Sequence, residues 1–378
     1  MCIRDRNNLN YEIDGTVFKL NKYIEREKAG SRSRSPRWAI AGKFKAQQVT
    51  SKIINISVQV GRTGALTPVA KVKPVYVSGV TVTNITLHNQ DEINRKDIRI
   101  GDTVTVERAG DVIPHILSID LKKRLKNSKK FLFPYNCPSC GSKTIKEFNK
   151  ITKKADAVRR CSSEGYYCEK ISIEKLKHFV SKEAFNIDGL GKKIVEGFWK
   201  LKLIQLPQDI FKLDYNKIEK LEGWGRLSVE NLQYSINQKK NISLERFIYS
   251  LGIRHIGLEN AKLLSKHFIS FSKFKNLYIQ GDYEDLLNID GIGETQVNSI
   301  KSFFSNKSNI RVLNELEKIL IIKNAVQNSD NGLLKNKTFL VTGKLNGISR
   351  AELKSLIEEN SGKTVSSVSN KLNYLIIS

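Results

Sequence analysis

Apolar and polar positions alternate with period two over residues 11 to 20 and again over 38 to 45, which predicts two strands. In IDGTVFKL, Ile13, Gly15, Val17 and Lys19 share one face, and Asp14, Thr16, Phe18 and Leu20 the other. In WAIAGKF, Trp38, Ile40, Gly42 and Phe44 make a bulky face, while Ala39, Ala41 and Lys43 make a face cleared of bulk. The joining segment, NKYIEREKAGSRSRSP, is charged and ends in Gly, Ser and Pro, which predicts an exposed, mobile loop. From 53 to 119 come short β-rich runs (IINISVQV, VYVSGVTV, DTVTVERA, VIPHILSI) between Gly, Pro and Asp turns, the pattern of a small barrel of the OB type. Beyond a lysine-rich stretch and a group of cysteines, the period becomes helical from about 173 to 325. The last segment reads strand, loop, helix, strand, loop, strand, like half of an α/β domain. The opening MCIRDR fits no element and is set aside.

The helical region contains a repeat. Aligning IDGLGKKIV, LEGWGRLSV, IRHIGLENA and IDGIGETQV superposes Gly191, Gly225, Gly257 and Gly293, with Val195, Val229, Ala261 and Val297 four positions on. A second glycine stands two residues earlier in three of them: Gly189, Gly223 and Gly291. Gly-apolar-Gly at the mouth of a helix frees successive backbone N–H groups to face an anion, so the four read as helix-hairpin-helix units gripping duplex phosphates without reading bases. The third has His255 in place of the first glycine, which puts its grip in doubt.

Length and charge agree with this picture. A chain of 378 residues favours several compact domains. Its 64 Lys and Arg against 38 Asp and Glu leave a formal charge of +26, suited to a polyanionic partner such as nucleic acid, although compositional bias contributes to such an excess. No apolar run is long enough to span a bilayer, and the first residues lack the apolar core of a secretion signal. A cytoplasmic protein is expected.

Cys137 and Cys140 in CPSC, with Cys161 and Cys168 in CSSEGYYC, form two pairs that a tetrahedral Zn²⁺ can gather. With all four ligands cysteine the zinc is structural, and Gly141 permits a turn that aims amides at sulfur. Lys19 and Lys43, rooted on short apolar strands, suit a phosphate group that pairs with their ammonium ends. The histidines form no catalytic arrangement: His88 belongs to the barrel, and His115, His178, His255 and His267 read as surface or packed residues.

EIDGTVFK followed by SPRWAIAGKF resembles nucleotidyltransferase motifs IV and V of the NAD-dependent bacterial DNA ligases. VGRTGALTPVAKVKPVYVSG, TLHNQDEI and DIRIGDTVTVERAGDVIPHI resemble their OB domain, and a BRCT-like LVTGKL closes the series. The implied fold class is multidomain α+β: a remnant of the nucleotidyltransferase sheet (1–47), an OB-fold barrel (48–125), a small four-cysteine zinc module (126–172), an all-α helix-hairpin-helix array (173–325) and a partial α/β BRCT domain (326–378). The resemblance implies that Lys19 and Lys43 contact the adenylate phosphate of NAD and that Asp14 supports the nucleotide site or its Mg²⁺ (or Mn²⁺). It also implies that Arg62, Thr63 and Gly64 touch the nicked strand. The implied reaction moves AMP from NAD to an enzyme lysine and then to a 5′ phosphate at a nick, where the 3′ hydroxyl displaces it. The implied partners are nicked double-stranded DNA, bound by a monomer, and a protein contacted through the BRCT-like segment.

The family's nucleophile is the lysine of a Lys-X-Asp-Gly motif, and no such tetrapeptide occurs among the 378 residues. The expectation is therefore a piece of a ligase, opening midway through an adenylation domain, ending partway through a BRCT domain and inactive in self-adenylation. The competing expectation is a non-catalytic DNA-binding scaffold built from the same modules.

Overall fold

A computed structural model describes residues 10, 13, 15–31, 35–44, 46–77, 79–109, 113–149, 153–325, 332–342, 348, 350–365 and 372–377. The chain forms two compact units, Met1–Val60 with Ala65–Ser162, and Gly61–Gly64 with Ser163–Ser378.

The first unit opens with β1 (Gly15–Lys19), which pairs antiparallel with β2 (Ala39–Lys43). A Cβ on Gly15 would lie 2.5 Å from the Gly42 carbonyl oxygen, so the two strands close at this rung only with glycine there. The joining segment is not all loop. Tyr23–Ala29, YIEREKA, contains neither Gly nor Pro and several strong helix formers, and it winds into α1. Gly30, at φ 67°, ends that helix. The Arg26 guanidinium stacks over the rings of Tyr23 and Trp38, fastening α1 to the start of β2.

Five strands follow, β3 (Gln48–Val60), β4 (Leu66–Val77), β5 (Val80–Thr86), β6 (Thr103–Ala109) and β7 (Ile113–Ile119), in the antiparallel order β5-β4-β3-β6-β7. β3 is long enough to pair with β6 through residues 48–52 and with β4 from Ile53 onward, which curls the sheet toward a barrel. Pro74 lies within an inner strand because the β4–β5 ladder breaks register between Lys71 and Val75, where no N–H is needed. α2 (Gln90–Lys96) was not anticipated. Its signal is Asn89, whose side chain accepts from the Glu92 N–H at 2.9 Å.

Arg124 ties the segment after β7 back to this barrel. It donates to both oxygens of Asp102, at 2.9 and 2.8 Å, and to Asp97. Asp102 is 1% exposed, so its charge is compensated almost entirely from within the protein. β8 (Thr144–Asn149) and β9 (Lys154–Cys161) then form an antiparallel ribbon.

The second unit is built from α3 (Glu169–Phe179), α4 (Lys192–Lys200), α5 (Tyr215–Glu219), α6 (Arg226–Gln238), α7 (Leu244–Ser250), α8 (Leu258–Phe268), α9 (Phe271–Gln280), α10 (Glu294–Ser305) and α11 (Lys307–Glu317). They share one continuous apolar core, running from Leu176 to Leu320. A short parallel pair, β10 (Asn241–Ser243) with β11 (Ile321–Lys323), was hidden from sequence by its three-residue length. The final segment has the expected order: β12 (Thr338–Val341), α12 (Arg350–Glu359), β13 (Lys363–Val365) and β14 (Tyr374–Ile376), a parallel sheet ordered β13-β12-β14.

Arg124→Ala is expected to destabilise the first unit by about 3–5 kcal/mol, because it strands the Asp102 carboxylate in the interior. Denaturant unfolding followed through the barrel measures this.

Candidate nucleic-acid interface and metal centre

The four repeat units adopt one backbone. Gly189, Gly223 and Gly291 take φ of 80°, 80° and 91°, and His255 takes the same left-handed turn at 62°. The third unit thus keeps the hairpin that its sequence put in doubt, at the strain a side chain costs in that region. Two residues on, Gly191, Gly225, Gly257 and Gly293 are extended and cap α4, α6, α8 and α10. The fourth position beyond each, Val195, Val229, Ala261 or Val297, is buried and seats the helix on the core. A Cβ on Gly191, Gly225 or Gly257 would meet nothing within 4 Å. Internal packing therefore does not demand glycine there, and Ser or Asp would cap better. A helix mouth without a side chain suits an approaching phosphate oxygen. The first turns differ in charge, since α8 and α10 carry Glu259 and Glu294 there, whereas α4 and α6 carry no acid.

The β1–β2 register places Lys19 opposite Ala39 and Lys43 opposite Gly15. Directly paired residues project from the same side of a ladder, so both lysines share one face with Val17, Ala39 and Ala41 between them. They stand at opposite ends of it, about 13 Å apart along the strands. Asp14 lies outside the described residues.

The four cysteines converge. Their sulfur atoms lie within 4.8 Å of one another, and Cys137, Cys161 and Cys168 are buried. Four sulfurs about 2.3 Å from a tetrahedral Zn²⁺ are spaced about 3.8 Å apart, so the cluster fits that ion. Gly141, at φ 74°, makes the anticipated left-handed turn, its N–H donating to the Cys137 carbonyl at 2.9 Å.

Comparison with known proteins accords with these elements. The NAD-dependent DNA ligase adenylation-domain model matches residues 1–47, and the NAD-dependent DNA ligase OB-fold model matches 50–129. The helix-hairpin-helix model matches 246–313, and the BRCT model matches 329–378. The DNA ligase of Pelagibacter ubique is 67% identical over 371 residues, 98% of this chain and 55% of that protein. The DNA ligase of Wolbachia pipientis wMel is 46% identical over 98% of this chain and 56% of its own length, and that of Xanthobacter autotrophicus 42% over 97% and 54%. The chain belongs to the NAD-dependent DNA ligase family. It spans about half the length of the curated relatives it matches.

In this member of the ligase family the loop Gly61–Gly64 groups with the second unit. Gly64, at φ 76°, closes a turn by donating to the Gly61 carbonyl. Arg62 turns inward: a Cβ on Gly252 would lie 2.6 Å from its guanidinium and 3.2 Å from the His178 ring. Nη1 of Arg62 is shut from solvent without a hydrogen-bond partner. Around it, His178 donates from Nε2 to the Tyr249 carbonyl at 2.8 Å, and Lys175 donates to the Gly165 carbonyl at 2.7 Å over the Tyr166 ring. Burial, aided by the Arg62 charge, pulls Lys175 down to about 8 and His178 down to about 4. His178 is thus one of the packed histidines among those read as surface or packed, and in the sequence only Gly252, in the turn after α7, hints at the close approach. Among the other histidines, His115 pairs with Glu107 at 2.9 Å and His267 with Asp285 at 3.3 Å, while His88 and His255 are exposed.

Metal analysis of the purified chain is expected to return about one zinc per molecule. Chelation should expose the four thiols to alkylation while the barrel stays folded; thiols that remain protected without metal would contradict it. A second expectation concerns acid. Below pH 6.5 the unfolded chain protonates His178, whereas the fold refuses that proton until about 4. Stability contributed by neutral His178 is complete above pH 6.5 and is lost as pH falls through that window. Denaturation midpoints of wild type and His178→Gln should differ in pH slope by about one proton there.

Proposed function

We propose that this chain is the DNA-side portion of an NAD-dependent DNA ligase that seals nicks in duplex DNA during replication and repair, acting as a monomer on the nucleoid. The observation that carries the reading is the order of modules: adenylation strands, OB sheet, cysteine cluster, hairpin array and BRCT segment follow one another within a match to a DNA ligase that covers 98% of the chain. The four glycine-capped helices hold backbone phosphates, the zinc fixes the module between barrel and hairpins in the sequence, and the BRCT segment offers a surface to a protein partner.

Lys19 and Lys43 flank the face on which Gly15, Ala39 and Ala41 leave room. Rooted about 13 Å apart with Val17 between them, the two ammonium groups reach one mononucleotide phosphate by bending toward each other. NAD supplies the adenylyl group when bound. The lysines stabilise negative charge as it grows on the phosphoryl oxygens; a bound Mg²⁺, which Asp14 would help to hold, would supply further positive charge there. The second reading is a scaffold of the same OB, hairpin and BRCT modules that binds DNA without sealing it.

Binding of a nicked duplex is expected to weaken by about tenfold or more between low and physiological salt. Gly191→Val and Gly225→Val should lower the melting temperature by no more than about 2–4 °C, the cost of a poorer cap, yet lower affinity by roughly three- to tenfold, because the added carbons fill space that only phosphate uses. Wild-type affinity in both variants would remove the hairpins from the interface. With labelled NAD, Mg²⁺ and nicked DNA this chain should form no protein–AMP adduct. Sealing restored by adding the relatives' remaining segment separates ligase from scaffold.

A further inference from the structure

Lys239 at the end of α6, Arg246 on α7 and Lys323 on β11 line a half-open pocket of about 300 Å³ in the second unit, beside Ser243 and Phe185. Glu352 of α12 is the acid among the lining residues. Its Oε1 lies 2.7 Å from Lys239 Nζ and 4.0 Å from Arg246 Nη1. Arg246 cannot swing away. Its side chain is 8% exposed, and Nε and Nη2 donate to the carbonyls of Ala184 and Lys182 at 2.8 and 3.0 Å. The bonded carbonyls are neutral; Glu183 and Glu245 act on Arg246 from outside the lining, and within it three cations face one carboxylate. The Ser243 hydroxyl is closed off from solvent and has no hydrogen-bond partner. A buried hydroxyl in that state costs free energy that an entering acceptor recovers.

The pocket lies at the opposite end of α6 from Gly225. A 13-residue helix separates the two by about 20 Å, so the pocket is a different site from that hairpin mouth. We propose that it is a binding site for a small phosphate dianion, and that the Glu352 carboxylate is a resident stand-in that phosphate displaces. Phosphate offers two negative charges and acceptor oxygens enough for Lys239, Lys323, Arg246 and the Ser243 hydroxyl, where a carboxylate offers one charge and two oxygens. The site is independent of the ligation reading.

The test titrates the full chain with inorganic phosphate at constant ionic strength, following the ³¹P line width. Glu352→Gln removes the competing charge and should tighten binding by about tenfold or more. Ser243→Ala, which deletes one hydroxyl, and Lys239→Ala should each weaken binding several-fold relative to wild type. Equal affinity in wild type, Glu352→Gln and Ser243→Ala overturns the proposal, as does binding that vanishes when ionic strength is held constant. Repeating the series with AMP and with a 5′-phosphorylated oligonucleotide identifies the source, which is the one whose affinity follows the same two substitutions.

Discussion

A helix that begins at glycine gives up the side-chain oxygen that ordinarily satisfies its first amides, and this chain makes that sacrifice four times. The second unit is arranged around it. Each left-handed turn presents an N-terminus outward, while Val195, Val229, Ala261 and Val297 press the same helices onto a shared core. Side-chain-free mouths and a well-seated first turn are two halves of one design: the core holds rigid what the surface leaves unsatisfied. His255 shows how strongly the backbone is specified, since it accepts a conformation that a histidine rarely takes.

The positive charge of the chain is not spread evenly in its consequences. Where it is exposed it favours polyanions by long-range attraction. Where it is buried, at Arg62 with Lys175 and at Arg246, desolvation lowers the pKa of the groups involved, and carbonyl oxygens take up N–H groups of Lys175 and Arg246. Arg124 is the contrasting case, a buried arginine that meets a full carboxylate partner in Asp102. The first kind of site meets its cations largely with neutral dipoles, whereas the second is a closed bond between full charges.

Much of this was readable from residues. Period-two alternation located the strands around Lys19 and Lys43, the grouping of Cys137 and Cys140 with Cys161 and Cys168 located the cysteine cluster, and the glycine register located all four hairpins. What escaped has physical reasons. α1 was masked by the Gly, Ser and Pro that follow it, and β10–β11 is too short to show a period. α2 depends on a single Asn cap. The inward turn of Arg62 and the Glu352 contacts are tertiary, made between residues far apart in sequence, and no local pattern announces them.

The β1–β2 ribbon has a consequence for the protein in solution. Among the described residues it is a ladder of only two strands, with Val17, Phe18 and Ile40 open to solvent. Two-stranded ladders are marginal in water, and each outer edge offers main-chain groups to any extended segment that drifts alongside. A face this apolar gains most from being covered, so any segment laid over Val17, Phe18 and Ile40 steadies the ribbon more than its own ladder does.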